Sequence, residues 1–267
     1  MAIKLLVFDF RESEKDFFRS HELENFDITF FTESLNEETV KNLSSELLDN
    51  TSVISVFIDS EVTENVINSF KNLRIISTRS TGVEHIDKRS ADAKNIAVVN
   101  VEGYGARPVA QYTIGLILAL VRKIIPASEY LKTKNRVCQN FVGRDISKFT
   151  IGIIGTGSIG TIHVPYTGEN KYMFAFEQFS IMKNTAYLIN TSRGEIVNIK
   201  DLYSAVTKGA IKGAALDVVT CEYFNFKCSN LTQTLYNNFE CVEESKILPE
   251  LIKNQNVIVT PHIAYET

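Results

Sequence analysis

Arg193, Glu222 and His262 are three residues whose types together could do chemistry. Each falls just beyond a short apolar run: Arg193 after AYLINTS, Glu222 after IKGAALDVV and His262 after NVIVT. If those runs are successive strands of one open parallel sheet, the three side chains gather at its carboxyl edge, where such sheets form their ligand crevice. A guanidinium, a carboxylate and an imidazole in one cleft are the groups from which charge stabilisation and proton transfer are built. Singly, each has an ordinary alternative: a surface charge, a solvated loop residue, a satisfied histidine. Together they read as a site.

A second signal lies upstream. Gly155, Gly157 and Gly160 satisfy G-x-G-x-x-G directly after the apolar run TIGII. Such glycines allow a tight turn and close approach of a pyrophosphate, whose charge is held by the free N–H groups of the following helix. That helix is not encoded here. Thr161, Ile162 and Val164 are β-branched and Pro165 breaks a helix, so no ordinary phosphate-seating helix is expected. The acidic residue expected about 20 residues on, for a ribose hydroxyl, is also wanting, because Glu177 lies inside the helix-like FEQFSIMKN.

The elements that must position these residues alternate along the chain. IKLLVFDF, ITFFTE, SVISVFI, RIISTRS and AVVNV read as strands, separated by the helical stretches ESEKDFFRSHELE, ETVKNLSSELL and TENVINSFKNL. That alternation predicts a parallel sheet covered on both faces, flavodoxin-like in type. GARPVAQYTIGLILALVRKIIPAS predicts a helix that begins near Pro108 and is stopped by Pro126. It is apolar around most of its circumference, so it is expected to be buried between two domains. From Phe149 the strand FTIGIIG leads into the fingerprint. Then follow helix-like FEQFSIMKN, strand AYLINTS, helix NIKDLYSAVTKG, strand IKGAALDVV, an irregular stretch over 220–242, helix-like EESKILPELIKN and strand NVIVT.

The totals bound the function. With 267 residues, 44% hydrophobic and 22% charged, the chain has the composition of a globular protein of two modest domains. Its 28 basic and 32 acidic residues give a net charge of −4 without a long basic run, so nucleic acid is not an expected partner. The longest apolar run, around TIGLILALV, falls far short of a membrane span. A soluble, cytoplasmic protein is expected. Cys138, Cys221, Cys228 and Cys241 lack the spacing of a zinc site and are expected to be reduced thiols with no shared task; no metal is expected.

TIHVPYTGENKYM, MKNTAYLINTSRGEIV, GAALDVV and NVIVTPHIAY together resemble the D-isomer-specific 2-hydroxyacid dehydrogenases, most of all their D-lactate dehydrogenase branch. ISTRSTGVEHID and VEGYGARPVAQYTIGLILAL resemble that family's substrate domain and linking helix. The resemblance implies an α/β protein: a flavodoxin-like substrate domain over 1–102 and a Rossmann-type dinucleotide-binding domain over 103–267, both with parallel sheets. The second domain is expected to be incomplete. In the family the fingerprint helix and further elements precede the segment resembling TIHVP, whereas here Gly160 joins it almost directly, leaving out roughly 50 residues, more than one ~30-residue βαβ unit. A closing helix that family members carry is also expected to be missing.

The resemblance implies reduction of a small 2-oxo acid such as pyruvate with NADH. His262 would supply the proton, Glu222 would raise its pKa, and Arg193 would hold the carboxylate and polarise the ketone. RSTGVEHID offers backbone N–H groups at Thr81 and Gly82 as a nest for the substrate carboxylate, with Tyr104 near the substrate. Cofactor contacts are implied at Gly155, Gly157, Ser158, Ile159, Gly160, Thr191 and Asp217. His21, His85 and His163 are not expected to be catalytic. Asn198 stands where relatives often have Asp, and VVTCEYFNF is an unusual version of the segment around the glutamate. A homodimer is expected. The alternative reading is a remnant without catalysis that serves a structural or partner-binding role.

Overall fold

The computed structural model describes residues 2–20, 23–101, 103, 105–134, 140–154, 166–222 and 239–265. It divides into two compact units, Met1–Tyr104 and Gly105–Thr267.

In the first unit, β1 (Ile3–Val7), β2 (Phe26–Phe30), β3 (Val53–Val56), β4 (Ile75–Thr78) and β5 (Ala97–Val99) form one sheet in the order β2-β1-β3-β4-β5, every pair parallel. This is the flavodoxin-like order, with its switch point between β1 and β3. The crossovers carry α1 (Lys15–Ser20), α2 (Ser45–Asn50), α3 (Glu64–Ser69) and α4 (Lys88–Ala93). Ser44, Thr63 and Asp87 cap the last three, each accepting an N–H of the first turn on its side chain. Leu6, Ile54, Val56, Val66, Ile67 and Ile76 are wholly buried in one core. Burial of each such side chain contributes about 1.5–3 kcal/mol, which holds the short helices that would not persist alone.

At the switch point Asp9 adopts φ +53° and is itself buried. Its carboxylate accepts from the Phe57 N–H at 2.9 Å and the Ser60 hydroxyl at 2.6 Å, tying the loop after β1 to the loop after β3. Arg79, just beyond β4, donates to Glu14, Ser55 and the carbonyls of Phe8 and Asp9. Its charge is thus spent on holding three loops together.

The second unit opens with α5 (Ala106–Val121) and α6 (Ile124–Lys134). Two expectations are corrected here. Pro126 does not stop a helix; it is the third residue of α6, in the first turn, where no intrahelical N–H bond is lost. The break precedes it, at Arg122 and Lys123, where Lys123 takes φ +58°. Nor is α5 buried all round. Thr113, Leu116, Leu120 and Val121 are buried, whereas Ile114 is 57% and Leu118 36% exposed. No single helix among the described residues is long and apolar enough to cross a membrane.

Next come α7 (Phe176–Ile181), β6 (Tyr187–Asn190), α8 (Ile199–Thr207), β7 (Gly213–Leu216), α9 (Phe239–Ile252) and β8 (Val257–Val259). The strands form a parallel sheet in the order β6-β7-β8. Leu116 and Leu120 of α5 cover one face, against Ala215 and Ile258. Ile199, Leu202, Ala205 and Val206 of α8, with Leu248 and Leu251 of α9, cover the other. Sandwiched this way, all four residues of β7 are buried, which explains its small GAAL sequence.

The expected strand FTIGIIG does not form. Residues 149–154 carry no ladder, and Ile151 and Ile153 are about half exposed. Thr150, Gly152 and Ile154 instead line an apolar cavity of about 300 Å³ with Ile117, Val121 and the Tyr187–Ile189 side of β6. Among the described residues no strand lies outside this position, so a parallel edge strand here would gain one ladder and leave alternate isoleucines in water, a poor exchange.

The cysteine expectation is corrected as well. Cys221 and Cys241 form a disulfide with Cα atoms 5.5 Å apart. Their separation of 20 residues carries no motif, so only the packing of α9 beside the end of the β7 loop brings them together. Cys138 and Cys228 lie outside the described residues.

Candidate active site

Arg193, Glu222 and His262 all lie beyond the carboxyl ends of β6, β7 and β8. His262 is shaped most completely. Its backbone takes φ +55°, an uncommon conformation for a residue with a Cβ. Hydrogen bonds enforce it: the His262 N–H donates to the Asp217 carbonyl at 2.8 Å and to Thr260 O at 3.0 Å. The Asp217 carboxylate accepts from the Thr260 hydroxyl at 2.6 Å, the Ile263 N–H at 3.1 Å and the Ala264 N–H at 2.9 Å. Asp217 is only 1% exposed, so it is committed to this loop. Strained backbone kept in place by over-determined bonding is characteristic of functional sites.

His262 Nδ1 lies 2.6 Å from Glu222 Oε2. A carboxylate oxygen only accepts, so Nδ1 carries the hydrogen and Nε2 is the ring nitrogen left to exchange a proton. Nε2 has no partner among the described residues. Burial by itself lowers the histidine's pKa; the hydrogen bond and charge of Glu222, with the charge of Asp217, outweigh burial and the opposing Arg193, so the net direction is upward from 6.5. The Tyr265 ring meets the imidazole edge-on at 5.6 Å and narrows its freedom.

Arg193 is carried by a loop that Asn190 braces. The buried Asn190 side chain donates to Arg193 O at 2.9 Å and accepts from the Ser192 N–H and hydroxyl. The next residue, Gly194, lies against the segment leading to Glu222: a Cβ there would stand 2.0 Å from the Val219 carbonyl carbon. Only glycine allows this approach, which binds the Arg193 loop to the Glu222 loop. The guanidinium is near enough to His262 for its charge to act on the ring. Asn198, the departure from the family's acid, caps α8 by accepting the Asp201 N–H at 3.0 Å.

In the first unit, the Thr81 carbonyl accepts from Asn100 Nδ2 at 2.8 Å and the Thr81 hydroxyl donates to Val101 O at 2.9 Å. The Thr81 and Gly82 N–H groups have no acceptor among the described residues, as an anion nest requires. Tyr104 lies outside the described residues, as do Gly155, Gly157, Ser158, Ile159 and Gly160.

Two residues implied as cofactor contacts, Thr191 and Asp217, already make bonds within the protein. The Asp217 carboxylate is occupied by the histidine loop, and the Thr191 hydroxyl, 7% exposed as a residue, is shared with Thr113 Oγ1 at 2.9 Å. Each side chain thus satisfies a partner within the protein. Sequence reasoning missed Asn190, Gly194 and the bracing role of Asp217. Only the T-S-R-G and T-P-H contexts hinted at them.

The two parallel sheets define a two-unit α/β protein, the second unit carrying a histidine–carboxylate pair and an arginine beyond its strands' carboxyl ends. Comparison with known proteins makes this specific. The model of the family described as D-isomer specific 2-hydroxyacid dehydrogenase, NAD binding domain, matches residues 161–264. A D-specific alpha-keto acid dehydrogenase of Enterococcus faecium is 32% identical over 256 aligned positions, covering 80% of this chain and 77% of that protein. A D-lactate dehydrogenase of Staphylococcus epidermidis is 28% identical, covering 98% of this chain and 90% of that protein. That alignment spans 311 positions, more than the 267 residues present, so it opens gaps opposite this chain. The crystal structure of the D-lactate dehydrogenase from Aquifex aeolicus, complexed with NAD and lactic acid, superimposes with a TM-score of 0.81 at 28% identity, over 98% of this chain and 89% of that one.

The chain belongs to the D-isomer-specific 2-hydroxyacid dehydrogenase family. NAD is the cofactor that the matched domain serves. Of the residues implied to hold it, Thr191 and Asp217 directly follow β6 and β7, at the carboxyl edge of that parallel sheet.

Proposed function

We propose that this protein reduces a small, pyruvate-like 2-oxo acid to the D-2-hydroxy acid with NADH. The observation that carries this reading is the 2.6 Å contact between His262 Nδ1 and Glu222 Oε2, which leaves Nε2 as the site of proton exchange. NADH, when bound, supplies the hydride for the keto carbon. His262 gives its Nε2 proton to the keto oxygen, and Glu222 stabilises the imidazolium that stands ready to do so. Arg193 stabilises the negative charge that grows on that oxygen and can fork onto the substrate carboxylate. In the first unit, the N–H groups of Thr81 and Gly82, which have no acceptor among the described residues, are suited to binding a carboxylate. A homodimer accompanies this reading, supported by Ile114 and Leu118 exposed on α5.

The three-stranded sheet favours the second reading, a remnant without turnover, and one experiment decides between them. The purified chain is titrated with NADH while fluorescence or heat is followed, and pyruvate is then added while nicotinamide absorbance is recorded. Binding followed by oxidation of NADH is the expected result. No binding at millimolar NADH discards the enzyme.

A further inference from the structure

Beneath the loop that follows β4 runs a line of polar contacts to which the proposed reaction gives no role. His85 Nε2 lies 3.1 Å from Thr78 Oγ1, Thr78 Oγ1 lies 2.6 Å from Ser80 Oγ, and Ser80 Oγ donates to the Gly82 carbonyl at 2.7 Å. The last bond sets the direction of the others. A carbonyl only accepts, so the Ser80 hydrogen is spent on Gly82, and Ser80 must accept from Thr78. With its own hydrogen so used, Thr78 accepts from His85 Nε2–H. Thr78 is 0% and Ser80 3% exposed, so the relay runs through dry interior, where such chains reinforce one another and a missing member is costly.

The relay completes a pattern in the loop. The Ser80 carbonyl accepts from the Val101 N–H at 3.0 Å, and the Thr81 carbonyl accepts from Asn100. The Gly82 carbonyl accepts from the relay. Each of three consecutive peptide planes is therefore fixed by one bond on its oxygen. The N–H groups on those planes, of Thr81, Gly82 and Val83, have no acceptor among the described residues. Burial lowers the pKa of His85, against the charges of Glu84 and Asp9 that raise it, and the ring is neutral near pH 7.

We propose that His85 is a positioning residue for the substrate carboxylate: acting through Thr78 and Ser80, it locks the Gly82–Val83 peptide, whose Val83 N–H completes the seat begun by the Thr81 and Gly82 N–H groups. This inference rests on the reading of that loop as the carboxylate seat. It gives a task to a histidine that the proposed reaction does not otherwise use.

The test uses the full chain, the Thr78→Val and Thr78→Ser variants, and oxamate, a non-reacting analogue of pyruvate. Imidazole nitrogen shifts, assigned with His85→Gln among the four histidines, are expected to show the Nε2–H tautomer at His85 in the unsubstituted protein. An Nδ1–H tautomer overturns the relay without any appeal to activity. In calorimetry at saturating NADH, Thr78→Val is expected to weaken oxamate binding about tenfold, the worth of one lost buried hydrogen bond, with NADH affinity unmoved. Thr78→Ser, which keeps the hydroxyl, is expected to restore it. An oxamate affinity that Thr78→Val leaves unchanged, or a loss that Thr78→Ser does not restore, overturns the positioning role alone. Failure of the unsubstituted protein to bind oxamate overturns the functional reading on which the role depends.

Discussion

The backbone carbonyl of Asp217 accepts the N–H of His262 at 2.8 Å, and the Asp217 carboxylate holds the two amides that follow. One buried residue at the end of β7 thereby sets the conformation of the loop after β8. The imidazole reaches Glu222 because this aspartate holds the loop that carries it.

Replacement of Asp217 by alanine is expected to leave the Thr260 hydroxyl and the Ile263 and Ala264 N–H groups without their acceptor. Each buried group left unsatisfied costs about 1–3 kcal/mol. Of the three only the Ala264 N–H is fully buried, so the variant is expected to lose at least about 1 kcal/mol in urea denaturation, and its turnover is expected to fall further than its NADH affinity. Unchanged stability would show that the loop holds itself.

The His262 pKa is raised above 6.5 in the folded protein, so the acid form of the ring persists into the neutral range. Reduction is expected to be flat at low pH and to fall as pH rises through the raised value; oxidation of the hydroxy acid, which needs the free base, is expected to rise over the same interval. Glu222→Gln removes the charge that raises the pKa and leaves only a neutral amide oxygen to accept from Nδ1–H, so its profile is expected to move to lower pH. Because the folded value is the higher one, the stability contributed by the pair is complete below 6.5 and is lost as pH rises through the folded pKa. Thermal denaturation across that interval measures it.

His262→Ala is expected to slow turnover by roughly 10²–10⁴-fold, the usual worth of a positioned acid, with NADH affinity little changed. Steady-state kinetics and a fluorescence titration separate the two effects. Equal losses in both would count against the proton-donor role.

Gly194→Ala places a methyl group 2.2 Å from the Val219 carbonyl oxygen. Overpacking of that kind costs about 1–3 kcal/mol, and here relief requires the Arg193 loop to part from the Glu222 loop. The expected outcome is a lower melting temperature together with a rise in KM for the oxo acid.

The Cys221–Cys241 bond closes a loop of 20 residues that begins beside Glu222. Constraint of the unfolded chain by such a loop is worth about 3 kcal/mol. Cys241→Ala is expected to lower unfolding stability by about that amount, and dithiothreitol is expected to affect the parent protein but not the variant.

Strand positions, the parallel fold of both units and the three residues at the carboxyl edge were legible because each depends on local pattern. Apolar runs of four to eight residues mark strands, and a polar residue just past such a run lands at the sheet's rim whatever the helices do. The caps Ser44, Thr63, Asp87 and Asn198 are local in the same sense. Tertiary structure alone decided the rest. TIGII has every local property of a strand yet stays outside the sheet, because a strand needs neighbours that lie elsewhere in the chain. Asp217 came to brace the loop after β8, Cys221 found Cys241, and Gly194 met Val219 for one common reason: burial forces polar groups to find partners and backbones to approach closely, and which partner is near depends on packing that no short stretch of residues encodes.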